Sequence, residues 1–165
     1  MNKSLRNLKS GAQGGFTLIE LVVVIVILGI LAATAIPRFT DLSADARVAK
    51  MQAAAGAVRA GSAMYHAQWL VSGSPADGTT VNMEGVGVRG VAGYPAGTTD
   101  GIVVAAGGLN DYVAVPAGGV VTITPDAGHA ACVLTYTQAV AAVAPATAAT
   151  PPVINADALT QANCR

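Results

Sequence analysis

Residues 14–22 read GGFTLIELV, and they open an apolar run that extends over residues 16–36. Glu20 is the only charged residue in that run. A transmembrane helix needs about 17–25 mostly apolar residues, so the run is long enough to span a bilayer. The stretch therefore predicts the first element of the fold, an apolar N-terminal helix.

The charges on either side of this run are unevenly placed. Residues 1–15 contain Lys3, Arg6 and Lys9 and no acid, whereas the rest of the chain has six basic and nine acidic residues, so the formal net charge is zero. A short basic segment next to an apolar span stays on the cytoplasmic side of the membrane. We therefore expect the chain to be anchored through residues 16–36, with the residues that follow on the outer side.

An ordinary secretory signal is the alternative interpretation of the N-terminus. Such a signal has a basic region, a short apolar region and then a cleavage site with small residues. Residues 32–35 (AATA) could serve as that site, but the Gly14-Gly15 pair lies before the apolar run rather than after it. Cleavage after residue 35 would also remove the most strongly patterned part of the sequence.

Helical periodicity continues well beyond the apolar run. Between residues 16 and 71 there is one proline, Pro37, and no cluster of turn residues. After Pro37, apolar or small residues recur at steps of three and four, which is typical of one face of an amphipathic helix. They are Phe39, Leu42, Ala46, Ala49, Ala53, Ala57, Ala60, Met64, Ala67 and Val71. We predict one helix over residues 16–71, whose second half packs on a globular head through this face.

The head is predicted to be rich in β-strands. Residues 72–78 (SGSPADG) form a dense turn cluster, and beyond it short runs of Val and Thr alternate with Gly and Pro. The predicted strands are residues 81–88, 101–106, 111–115, 120–124 and 131–137, while 139–152 is either an extended loop or one weak strand. The fold class is therefore α+β, with a long N-terminal helix packed on a small antiparallel sheet.

The two cysteines, Cys132 and Cys164, both lie in the predicted head. In an exported domain a cysteine pair usually forms a disulfide, because the compartment is oxidising. Metal binding is the alternative, but there is no pair of histidines near them in the sequence. We expect no metal and no cofactor.

Composition and motifs argue against two other classes of protein. Charged residues make up 11% of the chain and there is no strongly basic segment beyond the N-terminus, so a nucleic-acid partner is not expected. The sequence has no Gly-x-Ser-x-Gly, phosphate-loop or His-Glu-x-x-His motif, so it is not expected to be an enzyme. His66 falls within the predicted helix and His129 within a predicted turn, where structural roles are expected.

The quoted stretch resembles the N-terminal signature of type IV prepilins. The basic leader, the Gly-Phe junction, the lone glutamate and the apolar span coincide, and Pro37 lies where that family has a helix-bending proline. The resemblance implies that a prepilin peptidase cleaves between Gly15 and Phe16, and that Phe16 becomes N-methylated. It also implies the pilin fold and four segments: a leader (1–15) that is removed, a filament-core helix half (16–37), an amphipathic half (38–71) and a head (72–165).

The resemblance implies a structural role. We expect the major subunit of a type IV pilus, which polymerises through its N-terminal helix into an extracellular filament for adhesion, with motility as a further use. Residues 91–102 and 33–39 resemble the mannose-sensitive haemagglutinin branch. The alternatives are a pseudopilin of the type II secretion system and a minor pilin for DNA uptake. Expected partners are other copies of the chain, other pilins, the inner membrane with its assembly platform, and the prepilin peptidase.

Two hypotheses concern assembly. A carboxylate in an apolar span is costly and needs a partner, and cleavage after Gly15 creates a positive amine at Phe16, so we expect Glu20 to pair with the Phe16 amine of a neighbouring subunit. Gly29 weakens helix preference and Pro37 removes a helix hydrogen bond. We therefore expect the segment between them to bend or lose helix on assembly, although Gly29 could instead be a simple helix-packing contact.

Overall fold

A computed structural model of the chain describes residues 15–107, 109–142 and 149–165, and for residues 37–41 it describes the backbone but not the side chains. The predicted leader, apart from Gly15, lies outside the described residues. The chain divides into two compact units, with the boundary between Phe39 and Thr40. In order, the elements are α1 (Leu18–Val71), β1 (Thr80–Met83), β2 (Val86–Val91), β3 (Tyr94–Pro95), a short π-helical turn (Thr99–Val103), β4 (Val113–Ala117), β5 (Val120–Thr124), β6 (Leu134–Thr137) and β7 (Val153–Asn155).

The predicted long helix is confirmed as α1, which is 54 residues long and contributes to both units. Its stop is also as predicted, since the chain turns at Ser72 and Gly73. Gly73 has a φ of +82°, a conformation that glycine adopts without steric cost. The α+β class predicted from the sequence is therefore the observed one.

The strands form two antiparallel sheets rather than the single sheet predicted. The order is β1-β2-β3 in the first sheet and β4-β5-β6-β7 in the second, so each sheet is a meander. Tyr136 connects the two sheets, because its buried hydroxyl donates a 2.7 Å hydrogen bond to the carbonyl oxygen of Pro95. Burial raises the pKa of this phenol.

Two of the predicted single strands are a different kind of structure. Residues 81–88 form a hairpin, because the chain reverses at Glu84 and Gly85, both with positive φ (50° and 89°). Residues 101–106 belong instead to the π-helical turn Thr99–Val103 and the helical residues that follow it. A short apolar run has no periodicity that separates strand from helix, and this one was assigned wrongly.

The other strands agree more closely with prediction. The 120–124 strand is β5 and keeps its predicted bounds, while 111–115 and 131–137 correspond to β4 and β6 with shifted ends. The short strands β3 and β7 were not predicted. Within 139–152 the described residues contain one bridge, between Val140 and Thr150, and residues 143–148 lie outside the described part of the chain.

The face of α1 that packs on the sheets differs from the predicted one. The largest buried side chains on the helix are Met51, Val58 and Tyr65, and Ala44, Ala54, Ala55 and Ser62 accompany them. Met51 and Val58 join Ile102, Val121, Ile123, Leu134 and Tyr136 in the main core, whereas Tyr65 packs with Val81 and Val88 in a second cluster. The predicted face, exemplified by Leu42 and Met64, is exposed at 65% and 54%.

One close contact fixes where the helix meets the head. A Cβ added to Gly61 would lie 2.4 Å from the carbonyl oxygen of Ala105, which no real side chain tolerates. Glycine at this position lets the residues after the π-helical turn pack directly against the helix backbone.

Candidate functional site

The N-terminal end of α1 is closed by reciprocal hydrogen bonds between Thr17 and Glu20. Carboxylate oxygen Oε2 of Glu20 accepts 2.8 Å bonds from both the backbone amide and the hydroxyl of Thr17. In return, the backbone amide of Glu20 donates a 3.3 Å bond to the Thr17 hydroxyl. This arrangement is a capping box, which satisfies amides that have no partner inside the helix.

Sequence reasoning missed this local partner of Glu20. The predicted partner was the Phe16 amine of another subunit, although Thr-x-x-Glu before an apolar run is the sequence signature of a capping box. The printed sequence was therefore sufficient to find it. Both observed bonds use Oε2, and among the described residues no hydrogen bond to the other carboxylate oxygen, Oε1, is formed.

The apolar span that follows is fully exposed in the single chain. Residues Leu18–Ile36 are long and apolar enough to cross a membrane, and none of the span is buried. Thr34 places a hydroxyl in the span, and this hydroxyl donates a 2.9 Å bond to the carbonyl oxygen of Leu31, which leaves it satisfied without water. Glu20 and Thr34 therefore each have a local hydrogen-bond partner, whereas the apolar side chains of the span are exposed.

The other predicted assembly residues lie in and before this helix. Phe16 is 95% exposed and Gly15 is exposed beside it. Gly29 has open space where a Cβ would stand, and the helix backbone continues through Pro37. The bending hypothesis concerns the assembled state and stays a prediction.

The structure joins Cys132 and Cys164 by a disulfide, and both residues are fully buried in the main core. The C-terminal tail is also bound to α1, because Arg47 Nη1 donates a 3.0 Å bond to the carbonyl oxygen of Cys164. Asp45 accepts a bond from the amide side chain of Gln161. Covalent and polar contacts together attach the last residues to the helix and the core.

His66 is held in a stack of aromatic rings. Its ring is stacked with Tyr94 at a centroid separation of 4.4 Å and with Trp69 at 5.9 Å. Its Nδ1 lies 2.8 Å from the carbonyl oxygen of Gly93, so this nitrogen carries the proton and donates. The geometry is that of a packed structural residue joining α1 to β3.

His129 belongs to a small polar cluster. Its Nδ1 is 2.7 Å from a carboxylate oxygen of Asp126, and Arg47 Nε is 3.9 Å from the other oxygen. The hydrogen bond from His129, above all, lowers the pKa of Asp126. No group of three or more His, Cys, Asp or Glu side chains that could hold a metal is found among the described residues.

The N-terminal segment is similar to a known motif and to known proteins. Residues 11–36 match the family model of the prokaryotic N-terminal methylation motif. The type IV narrow pilus major component PilA5 of Thermus thermophilus is 56% identical over 54 residues, 33% of this chain and 47% of that protein. No solved structure is significantly similar to the chain.

Two further relatives extend the similarity beyond the apolar span. The type IV major fimbrial protein FimA of Dichelobacter nodosus is 34% identical over 53% of this chain and 52% of its own length. The fimbrial protein EcpC of Eikenella corrodens is 35% identical over 56% of this chain and 61% of its own length. The chain thus spans about half the length of the curated relatives it matches. The haemagglutinin branch stays a prediction. The N-terminal segment of this chain thus has the prokaryotic N-terminal methylation motif and is similar to type IV pilin and fimbrial proteins.

Proposed function

We propose that this chain is the major structural subunit of a type IV pilus, a filament used for surface adhesion. The observation that carries the proposal is the exposed apolar span Leu18–Ile36, which follows a Gly-Phe junction and contains one acid. Apolar surface of this extent is stable in a bilayer or in a packed bundle, but not in water. Membrane storage followed by packing of the helices in a filament provides both environments in turn.

Processing supplies the positive charge that the Glu20 carboxylate needs as a partner in the apolar span. Cleavage between Gly15 and Phe16 by a prepilin peptidase removes the basic leader and frees a positive amine, which is then N-methylated. Oxygen Oε2 of Glu20 already accepts both bonds from Thr17. Oxygen Oε1 remains to accept the Phe16 amine of a neighbouring subunit. A subunit displaced by one helical turn would leave both charges in an apolar core, so the pair sets the axial register.

The remaining segments have matching roles in this proposal. Residues 16–37 anchor the precursor pool in the inner membrane and then form the filament core, residues 38–71 connect this core to the head, and residues 72–165 form the exposed head. The partners are further copies of the chain, other pilins, the assembly platform in the inner membrane and the peptidase. The role is structural rather than catalytic.

The test is to shear filaments from cells that express the native chain and to quantify this protein in the released fraction. We expect it to dominate that fraction and to begin at an N-methylated Phe16 by mass spectrometry. Gly15→Val should block cleavage and abolish the filaments, whereas the matched control Gly11→Ala should not. A short filament confined to the periplasm would favour the pseudopilin instead, and a water-soluble monomer that begins beyond Ile36 would refute the proposal.

A further inference from the structure

One face of α1 beyond residue 41 is both uncharged and open to solvent. We call it the outer face, and its members are Leu42, Ala46, Ala49, Ala53, Gly56, Ala57, Ala60, Met64, Ala67 and Val71. All are exposed except Ala57, which is half-buried. A helix on the surface of a soluble protein normally has charged or polar residues opposite its buried face. Here the helix is apolar on both sides, although the head covers only one of them.

The outer face is shaped for close approach by another surface. Seven of its ten members are alanine or glycine, which let a second backbone come near. Its larger side chains protrude: Leu42, Met64 and Val71 are exposed at 65%, 54% and 81%. Contiguous apolar surface of this kind marks an interaction site.

Two residues of opposite charge, Arg59 and Glu84, lie on opposite flanks of this face. Successive residues of a helix are rotated by about 100°, so Arg59 and Gly61 lie on opposite sides of Ala60. Gly61 packs against the backbone of Ala105. Ala105 in turn lines a groove of about 220 Å³, together with Met64 and Glu84. Glu84 therefore stands on the flank opposite to Arg59.

Neither of these two charges has a partner in the part of the chain that the structure describes. Among the residues that the structure describes, Arg59 has no hydrogen bond or ion pair, and the carboxylate of Glu84 has none either. Lys50, by comparison, donates to two backbone carbonyls, and Arg89 lies 3.7 Å from a carboxylate oxygen of Asp100. Both Arg59 and Glu84 are exposed, so they can reach a second molecule.

We propose that a second copy of this chain covers the outer face, and that Arg59 of one copy pairs with Glu84 of the next. The inference rests on the proposed pilus function and specifies a contact between heads. Arg59 and Glu84 have opposite charges and lie on opposite sides of one apolar face, so they complement each other when copies repeat in the same direction. A contact of this heterologous kind leaves a free flank at each end, and it therefore suits an open polymer.

Asp111 is an alternative acidic partner for Arg59. Its carboxylate also lacks a hydrogen bond among the described residues, but its backbone carbonyl accepts a 2.6 Å bond from Lys50 Nζ. A positive ammonium group thus already lies beside Asp111. Glu84 has no ion pair among the described residues, and it borders the groove that Met64 and Ala105 also line.

Charge reversal in the full-length chain tests the pair. Arg59→Glu and Glu84→Arg should each reduce the yield of sheared filaments at least about tenfold, because like charges at a contact cost several kcal/mol and 1.4 kcal/mol is tenfold. The double variant Arg59→Glu/Glu84→Arg should restore assembly. The matched control Asp111→Arg should assemble normally and should not rescue Arg59→Glu. Unfolding in urea, with the chain in detergent, establishes that each variant is folded.

A second measurement identifies the occupant. Filaments of the double variant Arg59→Cys/Glu84→Cys should form a ladder of cross-linked copies under oxidation. Normal assembly of Arg59→Glu or Glu84→Arg would overturn the inference. It would also be overturned if the charge-reversed double variant assembled no better than these single variants, or if the cysteines cross-linked to a different protein. If the unmodified chain forms no filaments, the proposed function itself fails, and that outcome is separate from these.

Discussion

Thr17 and Glu20 hold each other in place at the start of α1, with two 2.8 Å bonds to one carboxylate oxygen and a 3.3 Å bond in return. Glu20 thus has a local structural role besides the charge that we propose it carries into the filament. These two roles can be separated, because glutamine also serves in a capping box whereas it has no charge.

Glu20→Gln should therefore leave the helix start intact and abolish or sharply reduce filaments. Thr17→Ser keeps a capping hydroxyl and should assemble normally, while Thr17→Val should cost about 1 kcal/mol of helix stability without removing the charge. The measurements are filament yield after shearing and helix content of the detergent-solubilised chain. Normal assembly of Glu20→Gln would refute the charge-pairing hypothesis.

Met51 and Met64 provide a matched pair on the same helix, since Met51 is fully buried and Met64 is 54% exposed. Met51→Ala should reduce the free energy of unfolding by about 2–5 kcal/mol, because it leaves a cavity in the main core. Met64→Ala should change the stability of the single chain by no more than about 0.5 kcal/mol. Denaturant unfolding of the monomer in detergent compares them, and equal losses would contradict the observed orientation of α1.

Gly90 and Gly87 lie in the same strand, β2, but face different surroundings. A Cβ at Gly90 would lie 1.9 Å from the hydroxyl oxygen of Tyr65, whereas a Cβ at Gly87 would meet Thr80 at an ordinary 3.5 Å. Gly90→Ala should therefore destabilise the head by about 1–3 kcal/mol through overpacking. Gly87→Ala should fold normally, and a thermal unfolding midpoint for Gly90→Ala equal to that of the control would contradict the contact.

The disulfide between Cys132 and Cys164 spans 32 residues of sequence. Removing it by Cys132→Ala/Cys164→Ala should reduce the free energy of unfolding by about 3–4 kcal/mol, because the unfolded chain gains the freedom of that loop. Urea unfolding of the double variant against the oxidised parent measures the difference. Since both sulfurs are buried, the folded parent should also resist mild reductants. Rapid reduction of the folded protein would contradict that expectation.

Asp126 gives a pH dependence with a defined sign. The pKa of its carboxyl is lowered from 3.8, first by the hydrogen bond from His129. A carboxyl with a lower pKa in the folded state contributes stability above its unfolded pKa and loses it as the pH falls through the folded value. Wild type should therefore lose stability more steeply than Asp126→Asn below about pH 4, by a small amount because the side chain is half exposed. Identical urea midpoints from pH 5 to pH 2 would contradict this.

The long helix was predictable from sequence, but the face that it buries was not. Two rows of apolar and small residues run along the second half of α1 with the same spacing of three and four. Periodicity identifies such a row but does not say which of two rows meets the head. Met51, Val58 and Tyr65 lie on the buried row, but Leu42, Met64 and Val71 give the exposed row large apolar side chains too, so side-chain size does not separate the two rows.

The head shows where local sequence rules stop. Glu84 is an unusual residue for a hairpin turn with positive φ, so the break between β1 and β2 was not recognised. The hydrogen bond from Tyr136 to Pro95 joins residues 41 positions apart, and no local sequence pattern predicts it. The cysteine pair, by contrast, was expected from the compartment alone. At the N-terminus the capping box was predictable from Thr17 and Glu20, but the prediction for Glu20 rested on its charge alone.

The bond between Cys132 and Cys164 closes a ring of chain that includes β6, β7 and the Ala-, Pro- and Thr-rich stretch between them. A protease that cuts once inside this ring therefore releases nothing, since both fragments stay covalently linked through the buried sulfurs. A subunit nicked there outside the cell would keep its full mass until it met a reductant.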